Sequence, residues 1–299
     1  MTEVVHKSAE VKRSDARSYD AKAAEFASLT EVYSARVAER MLDLVGIQPD
    51  QRILDVGTGS GLLARMAAAR GAHAVGIDHS AGMLEQAQLS ADAAGVGGRT
   101  QFQAMDAEAL DFGDRSFDAT VSLYVLRHLP NPAIAVGEMY RTMRPGGRLA
   151  IAVGARPDPL SVSGLAATVG AVSDRIHAAL GRRRLTPGSL RDFLGRQQVA
   201  MPHDHAAHSQ LGNIRDLLRS VGFRDVRQEW LGERHILSPE DFWNVQAVFD
   251  GDARGALTAL DEGAQEALKR RYLDSCAEQV ARGRQLVHRI GALILHASR

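Results

Sequence analysis

The sequence predicts an α/β fold with a doubly wound, mostly parallel sheet, and three observations indicate it. Between residues 52 and 153, short apolar runs alternate with segments whose apolar positions recur at helical spacing. A glycine-rich turn follows the first of these runs. The chain has 299 residues, of which 45% are hydrophobic, so it is able to bury a large core. Because parallel strands with short connections need helical crossovers, helices are expected on both faces of the sheet.

The elements up to residue 153 are bounded by residues that start or stop them. Gly46 and Gly71 end the first and second helices, since glycine readily takes the left-handed conformation of a C-cap. Ser80 is suited to cap the third helix, Pro132 begins the fourth, and Pro145 with the two following glycines ends it. The predicted elements are, in order, a helix over 33–45, a strand over 52–57, a helix over 62–70, a strand over 73–78, a helix over 80–94, strands over 100–105 and 117–125, a helix over 132–144 and a strand over 148–153.

Beyond residue 155 the strict alternation ends and helical segments dominate. The predicted elements are helical stretches over 160–180, 190–198 and 213–221, a strand over 224–236, a helical segment over 239–282 and a strand over 290–297. One face of the longest segment carries Ala264, Leu268, Tyr272, Cys276 and Val280. We therefore expect seven strands, and we divide the chain into an arm with a lid helix (1–45), an α/β core (46–155), a helical lid insertion (156–212) and the rest of the core (213–299), which contains a second insertion (239–282).

Charge and cysteine content exclude several classes of function. The 36 Lys and Arg residues balance 36 Asp and Glu residues, so no overall field favours nucleic acid or an anionic membrane. Cys276 is the only thiol, which excludes a disulfide framework and a cysteine zinc site. The N-terminus lacks the apolar part of a signal peptide, and no run reaches the roughly 20 apolar residues of a membrane span. We expect a soluble cytoplasmic protein, and its oligomeric state is left open.

The segment ILDVGTGSG, over 53–61, carries the chemistry. Asp55 ends the first strand and is followed by Gly57, Gly59 and Gly61, while Asp78 ends the next strand. In a doubly wound sheet such a loop lies at the carboxyl edge, where ligands bind, and Asp78 is able to accept two hydrogen bonds from a ribose diol. The GxGxG spacing disfavours a dinucleotide, and the acid at position 55 would repel a pyrophosphate. The loop therefore predicts an adenosine-type cofactor that carries positive charge and no phosphate.

With these motifs, the chain resembles class I S-adenosylmethionine-dependent methyltransferases of the group related to ubiquinone and menaquinone C-methyltransferases. The resemblance runs from Tyr19 to the C-terminus and is strongest over 53–153. Its motifs stand in the family's order: ILDVGTGSGLLA, VGID, MDAEALDF, FDATVSLYVLRHL and EMYRTMRPGGRLAI, with LLRSVGFRDV later in the chain. The resemblance implies a seven-stranded Rossmann-like sheet, S-adenosylmethionine as the cofactor, and methyl transfer to an oxygen, nitrogen or carbon of a hydrophobic or aromatic small molecule.

The resemblance also implies roles for individual residues. It places Asp55 near the ammonium group of the methionine moiety and Asp78 at the ribose hydroxyls. The residues implied for the cofactor are Asp55, Gly57, Thr58, Gly59, Gly61, Asp78, His79, Met83, Asp106, Ala107 and Leu123. Those implied near the reacting methyl group are Tyr124, Arg127 and His128, of which His128 is the first candidate for a general base. Substrate contacts are expected from the variable parts of the chain, at Tyr19, Phe26, Tyr33 and His203.

Three other functions are compatible with parts of this pattern. Arg127, which stands where the family often has paired histidines, and the long insertions favour an S-adenosylmethionine-binding enzyme that catalyses another reaction, such as cyclisation. The glycine loop with a ribose-binding acid is shared with NAD-dependent oxidoreductases, although the third-position glycine of their motif is missing. The helical C-terminal half would suit a non-catalytic interaction protein. The group His203, Asp204, His205 and His208 has a spacing compatible with metal ligands, but we expect a solvated loop there and no metal.

Overall fold

The computed structural model of the chain describes residues 16–20, 22–154, 189–200 and 213–299. The predicted helix over 160–180, residue His203 and most of the predicted insertion over 156–212 lie outside the described residues. The described chain forms two compact units. Unit 1 comprises residues 16–20, 22–153, 213–229 and 293–299, and unit 2 comprises residue 154 with 189–200 and 230–292.

The helices and strands follow one another in the order that the sequence predicts. Over residues 23–154 they are α1 (Ala23–Val45), β1 (Arg52–Val56), α2 (Leu62–Ala69), β2 (His73–Asp78), α3 (Ala81–Ala93), β3 (Thr100–Ala104), β4 (Phe117–Leu123), α4 (Pro132–Thr142) and β5 (Met143–Gly154). They continue with α5 (Leu190–Arg196), α6 (Ile214–Val221), β6 (Arg224–Leu237), α7 (Pro239–Phe249), α8 (Gly251–Thr258), α9 (Glu262–Ala281) and β7 (Leu286–Ser298). None of the helices that the structure describes has the length and apolarity needed to cross a membrane.

The seven strands form one sheet in the order β3-β2-β1-β4-β5-β7-β6. β1 pairs in parallel with β2 and β4, and the pairs β2 with β3 and β4 with β5 are also parallel. The predicted doubly wound α/β fold is therefore confirmed. Because β1 lies between β2 and β4, the loops that leave the carboxyl ends of these three strands are neighbours at one edge of the sheet.

The first helix begins ten residues earlier than predicted, at Ala23 instead of Tyr33. Its N-terminal half buries small and polar side chains such as Thr30, which do not produce an apolar pattern. The predicted end is confirmed, since Gly46 has φ +68° and its N–H donates to the carbonyl of Leu42. The helix therefore packs along more of unit 1 than hydrophobic periodicity indicates.

The predicted break before residue 148 is wrong, because β5 starts at Met143 and includes the Pro-Gly-Gly segment. Met143 pairs with Phe117 and Arg148 pairs with Ala119, so four residues of β5 lie opposite one residue of β4. Gly146 takes φ +79° within this bulge. The glycines thus allow the strand to bulge and continue. From the sequence alone, they predict the end of the helix and a break before the strand. Accordingly α4 ends at Thr142 and not at residue 144.

Two further boundaries differ around the middle and the end of the sheet. β4 ends at Leu123 and not at residue 125, because Tyr124 has φ +61° and a 3₁₀ turn over Leu126–His128 follows. β7 begins at Leu286, four residues before the predicted start. The extra residues, 286–289, belong to unit 2.

The predicted helical segment over 239–282 is three helices, α7, α8 and α9. Ser238, Asp250 and Asp261 each accept a backbone hydrogen bond at the start of one of them. Leu268, Tyr272 and Cys276 belong to the apolar core of unit 2, as predicted. Val280 does not, since it is 43% exposed, and Gln279 is buried instead. An α-helix has 3.6 residues per turn, so positions spaced by four residues gradually leave one face of the helix. The next buried residue after Cys276 is therefore Gln279, three positions later.

Candidate functional site

The loop after β1 has a conformation that depends on glycine at two positions. Gly57 has φ +70°, and a Cβ there would lie 2.2 Å from Cγ2 of Val125. Gly61 has φ +81°, and a Cβ there would lie 2.9 Å from Cβ of Ala87 on α3. Any other residue at these positions would clash with Val125 or Ala87 and would also adopt an unfavourable backbone conformation. The loop is thereby held close to the segments that leave β4 and that form α3.

Asp55 stabilises this loop through hydrogen bonds to its buried side chain. Its Oδ2 accepts hydrogen bonds from Oγ1 of Thr58, at 2.6 Å, and from the backbone N–H of Ala64, at 3.2 Å. Asp55 is 1% exposed, and its Oδ1 is buried without a hydrogen-bond partner among the described residues. Burial raises the pKa of Asp55 to about 7, although the hydrogen bonds from Thr58 and Ala64 act in the opposite direction. A buried acceptor with no partner favours a cationic or hydrogen-bond-donating ligand.

Asp78 connects the ends of the first two strands. Its Oδ2 accepts a hydrogen bond from the N–H of Gly59 and its Oδ1 accepts one from the N–H of Ser80, both at 3.0 Å. The side chain is part-buried. Each carboxylate oxygen has a further lone pair beyond the bond that it accepts, so the group is able to receive two hydroxyl donors at the cleft. Asp55 and Asp78 thus lie at the same edge of the sheet, as predicted.

The segment after β3 continues this edge. The N–H of Met105 donates to the carbonyl of Asp78, at 2.9 Å, which places Asp106 directly after that contact. Oδ1 of Asp106 accepts a hydrogen bond from the N–H of Glu108, at 2.9 Å, and Ala107 is 7% exposed. The carboxylate and the two residues after it therefore form a tight turn beside the β2 end.

The other residues predicted for the cofactor and the reaction differ in exposure. Met83 is 1% exposed within α3, whereas His79 is exposed. Leu123 and Tyr124 are half-buried at the end of β4, and Arg127 and His128 are exposed on the 3₁₀ turn. Tyr124 is held in its uncommon conformation by a backbone hydrogen bond to Ala152, at 2.8 Å. The structure places these residues, and their roles stay predictions.

The N-terminal residues meet this edge of the sheet at three points. The Tyr19 ring lies edge-on to the imidazole of His128, with ring centroids 6.1 Å apart, and edge-on to Phe26, at 5.4 Å. Phe26 in turn lies 3.7 Å from the position that a Cβ of Gly59 would take. Asp20 contacts the start of α3, a contact that the sequence analysis did not predict. Two of the predicted substrate residues, Tyr19 and Phe26, are therefore brought together with the predicted base.

The remaining predicted substrate residues are not part of this cluster as described. Tyr33 is 8% exposed and belongs to the buried face of α1, so packing accounts for it. His203 lies outside the described residues. Within the part of the chain that the structure describes, no group of three or more metal-ligating side chains is present.

Comparisons with known proteins find similarity over the part of the chain that forms this edge of the sheet. Residues 54–151 match the family model described as a methyltransferase domain. The chain is 39% identical over 121 residues to the demethylmenaquinone methyltransferase of Renibacterium salmoninarum, covering 39% of this chain and 47% of that relative. It is 36% identical over 128 residues to the 27-O-demethylrifamycin SV methyltransferase of Amycolatopsis mediterranei, covering 42% and 47% respectively. The chain thus spans about half the length of the curated relatives it matches.

Solved structures support the fold over a longer part of the chain. A methyltransferase from an antibiotic biosynthesis pathway of Anabaena variabilis matches with a TM-score of 0.58 and 15% identity, covering 88% of this chain and 97% of that one. A methyltransferase of Bacillus halodurans matches with a TM-score of 0.53 and 18% identity, covering 87% and 97%. At this identity the likeness concerns the fold alone, and it agrees with the seven-stranded sheet described above.

Proposed function

We propose that this chain, whose residues 54–151 match a methyltransferase domain, transfers a methyl group from S-adenosylmethionine to a hydrophobic or aromatic small molecule. One observation carries the proposal. Asp55 and Asp78 lie at neighbouring strand ends and are joined through the loop that contains Thr58 and Gly59. This arrangement combines a buried unpartnered acceptor, an adjacent accessible carboxylate and a backbone that a ligand approaches closely.

The residues at this edge fit the chemical groups of S-adenosylmethionine. Oδ1 of Asp55, which lacks a partner among the described residues, suits the ammonium group, and the carboxylate of Asp78 suits the ribose hydroxyls. We assign recognition of the adenine to Asp106 and Ala107, and we assign the two faces of its ring to His79 and Met83. The acid at position 55 would oppose a phosphate in the same loop, which favours this cofactor over a dinucleotide. When bound, the cofactor supplies a methyl group that its sulfonium already activates.

The chain's own residues have to orient the acceptor, exclude water and accept the proton that the acceptor loses. Orientation of two reactants lowers barriers by about 7 to 11 kcal/mol, so alignment is the main requirement. His128 is our candidate to accept the proton of the acceptor, because it is exposed at the carboxyl end of β4 and contacts the Tyr19 ring. Tyr124 and Leu123 precede it and would border the methyl group. Arg127, on the same turn, would contact a polar part of the acceptor.

Two features favour this class of acceptor. Two relatives are named as methyltransferases of demethylmenaquinone and of 27-O-demethylrifamycin SV, which are small molecules. The neutral charge of this chain gives nucleic acid no electrostatic advantage. We therefore propose a hydrophobic or aromatic small molecule as the acceptor, with the methyl group transferred to one of its oxygen, nitrogen or carbon atoms.

Calorimetry with S-adenosylmethionine and S-adenosylhomocysteine tests the cofactor. We expect micromolar binding by the parent protein, lost in Asp78→Ala and unchanged in Asp92→Ala. Asp92 is a matched control, since it is an exposed carboxylate at the other end of α3 that accepts a hydrogen bond from Gln88, at 2.9 Å. Failure of the parent protein to bind either compound would reject the proposal.

Mass spectrometry of the product tests the reaction. Incubation with S-adenosylmethionine and a panel of quinols and phenolic ring compounds should yield a product heavier by one methylene unit, together with S-adenosylhomocysteine. A converted substrate of unchanged mass would contradict methyl transfer and support the alternative of a cyclisation. Nicotinamide absorbance changes with any substrate of the panel would instead support an oxidoreductase.

A further inference from the structure

Asp20 ties the segment over 16–20 to the start of α3. Its Oδ1 accepts a hydrogen bond from Oγ of Ser80, at 2.6 Å, and another from the N–H of Gly82, at 2.9 Å. Ser80 is the N-cap of α3, and Gly82 lies in the first turn of that helix. Backbone N–H groups in a first turn have no partner within the helix, and a carboxylate there is favoured by the helix dipole. The contact is therefore a specific one between the N-terminal residues and this helix.

Ser80 connects this contact with the ribose-binding carboxylate. Its N–H donates to Oδ1 of Asp78, at 3.0 Å, while its hydroxyl donates to Asp20 and accepts from the N–H of Met83, at 3.1 Å. Ser80 is 1% exposed, so its position is set by these bonds and by its packing. One buried residue thus holds two carboxylates, one from the N-terminal segment and one from the proposed cofactor site.

The N-terminal segment crosses the edge of the sheet at which the cofactor would bind. Asp20 contacts the segment after β2, and Tyr19 contacts His128 in the segment after β4. The β1 loop lies between them in the sheet order, and Phe26, which packs against Tyr19, reaches Gly59 of that loop. We call residues 16–20 the strap, because they join the two sides of the loop.

We propose that Asp20 is a positioning residue that latches the strap over the cofactor site, so that cofactor bound at Asp78 and the closed strap stabilise each other. The inference rests on the proposed function. Hydroxyl donors on Asp78 would disperse its charge beside Asp20 and tighten the latch through Ser80. By thermodynamic linkage, the latch then raises the affinity for the cofactor by the same coupling. With an unchanged association rate, this gain in affinity is seen as slower release of the cofactor. The closed strap also holds Tyr19 beside His128.

The test compares Asp20→Ala, Asp20→Asn and Asp92→Ala with the parent protein, using S-adenosylhomocysteine as the probe. Two readouts are the dissociation rate of the probe and the rate of tryptic cleavage after Arg17, which is exposed in the strap, with and without the probe. In Asp20→Ala both hydrogen bonds of the latch are lost, so we expect probe release to be about tenfold faster, the low end of what hydrogen bonds to a charged group contribute. We also expect protection of Arg17 by the probe to be lost. Asp20→Asn keeps an acceptor oxygen and should restore most of both effects.

The outcomes separate the latch from the proposed function. One outcome is that the parent protein binds the probe, while Asp20→Ala shows the same rates of probe release and of cleavage as the parent. That outcome overturns the latch and leaves the proposed function standing. Equal effects in Asp20→Ala and Asp92→Ala would also overturn it, because a general charge effect would then explain them. If the parent protein does not bind the probe, the proposed function fails, and the coupling fails with it.

Discussion

The backbone N–H of Gly59 donates a hydrogen bond to Oδ2 of Asp78, over 3.0 Å, and this bond joins the β1 loop to the end of β2. The other oxygen of Asp78 accepts from the N–H of Ser80, also at 3.0 Å. The carboxylate therefore has backbone donors on both of its oxygens. It shapes the loop in addition to offering acceptors to a ligand, so substitutions at this position act on stability as well as on binding.

Asp78→Asn should therefore weaken the fold as well as cofactor binding. The amide nitrogen of Asn would face one of the two backbone N–H groups, and a donor opposite a donor leaves that N–H without an acceptor. We expect the free energy of unfolding to fall by about 1 kcal/mol, since the site is partly solvated. Urea denaturation measures this, with Asp92→Asn as the control. An unchanged midpoint in Asp78→Asn would show that the loop does not depend on this carboxylate.

Gly57→Ala should destabilise the protein more than Gly46→Ala. The two glycines have nearly the same φ, +70° and +68°, but a Cβ at Gly57 would overlap Val125 whereas nothing lies within 4 Å at Gly46. Gly46→Ala should cost about 1 kcal/mol for its backbone conformation. Gly57→Ala should cost about 3 kcal/mol or more because overlap adds to it. Urea denaturation checks both values.

A second substitution separates the two causes at Gly57. Val125→Ala removes the side chain that the new Cβ would meet, so the double variant Gly57→Ala with Val125→Ala should recover part of the loss after the cost of Val125→Ala alone is subtracted. If Gly57→Ala costs no more than Gly46→Ala, the close approach of Val125 to the loop is contradicted.

The sheet and its cofactor edge are predictable because the signals that specify them are local. The apolar runs and the caps Gly46 and Ser80 are each recognised within a few residues, and the spacing from Asp55 to Asp78 lies within one strand–helix–strand unit. The bulge in β5 is different, since Pro145 and its glycines interrupt a helix and a strand equally well. Only pairing with β4 across the sheet shows that the strand continues through them.

The contacts of the N-terminal residues were not predictable from the sequence, because they depend on the tertiary structure. The role of Asp20 depends on the open first turn of α3, which lies sixty residues further along the chain. An acid directly after the predicted substrate residue Tyr19 is the signal that was available, but nothing local distinguishes it from a solvated side chain. Val280 was misplaced for a simpler reason, because a regular spacing of four residues leaves a helix face after a few turns.

Asp55 should make stability depend on pH. Its ordinary pKa is 3.8 and burial raises it to about 7 in the folded chain, so the folded state binds this proton more tightly than the unfolded state does. Its contribution is therefore greatest below about pH 4 and is lost as the pH rises through about 7. The free energy of unfolding of the parent should fall relative to Asp55→Asn over this window, by about 4 kcal/mol at most. Urea denaturation from pH 4 to 8 measures the difference, and parallel curves would contradict it.

The same carboxylate should make cofactor binding depend on pH in the opposite sense. If Asp55 receives the ammonium group, binding favours the ionised form, so affinity for S-adenosylhomocysteine should rise as the pH increases through about 7. Asp55→Asn should bind more weakly and show no such rise. Calorimetry at pH 6, 7 and 8 provides the measurement. An equal rise in both proteins would assign the dependence to another group.

His128 and Tyr19 should affect turnover more than cofactor binding. The imidazole and the phenol ring meet edge-on at 6.1 Å, so each is able to orient the other beside the acceptor. If His128 accepts the proton, His128→Ala should lower kcat by about 10²- to 10⁴-fold while the affinity for S-adenosylhomocysteine stays the same. Tyr19→Phe keeps the ring contact and removes only the hydroxyl, so it should retain most of kcat if the ring positions His128. Steady-state kinetics with an acceptor identified by mass spectrometry measures both, and Arg36→Ala, on the exposed face of α1, is the control. A loss of kcat in Tyr19→Phe as large as that in His128→Ala would transfer the proton-accepting role to the phenol.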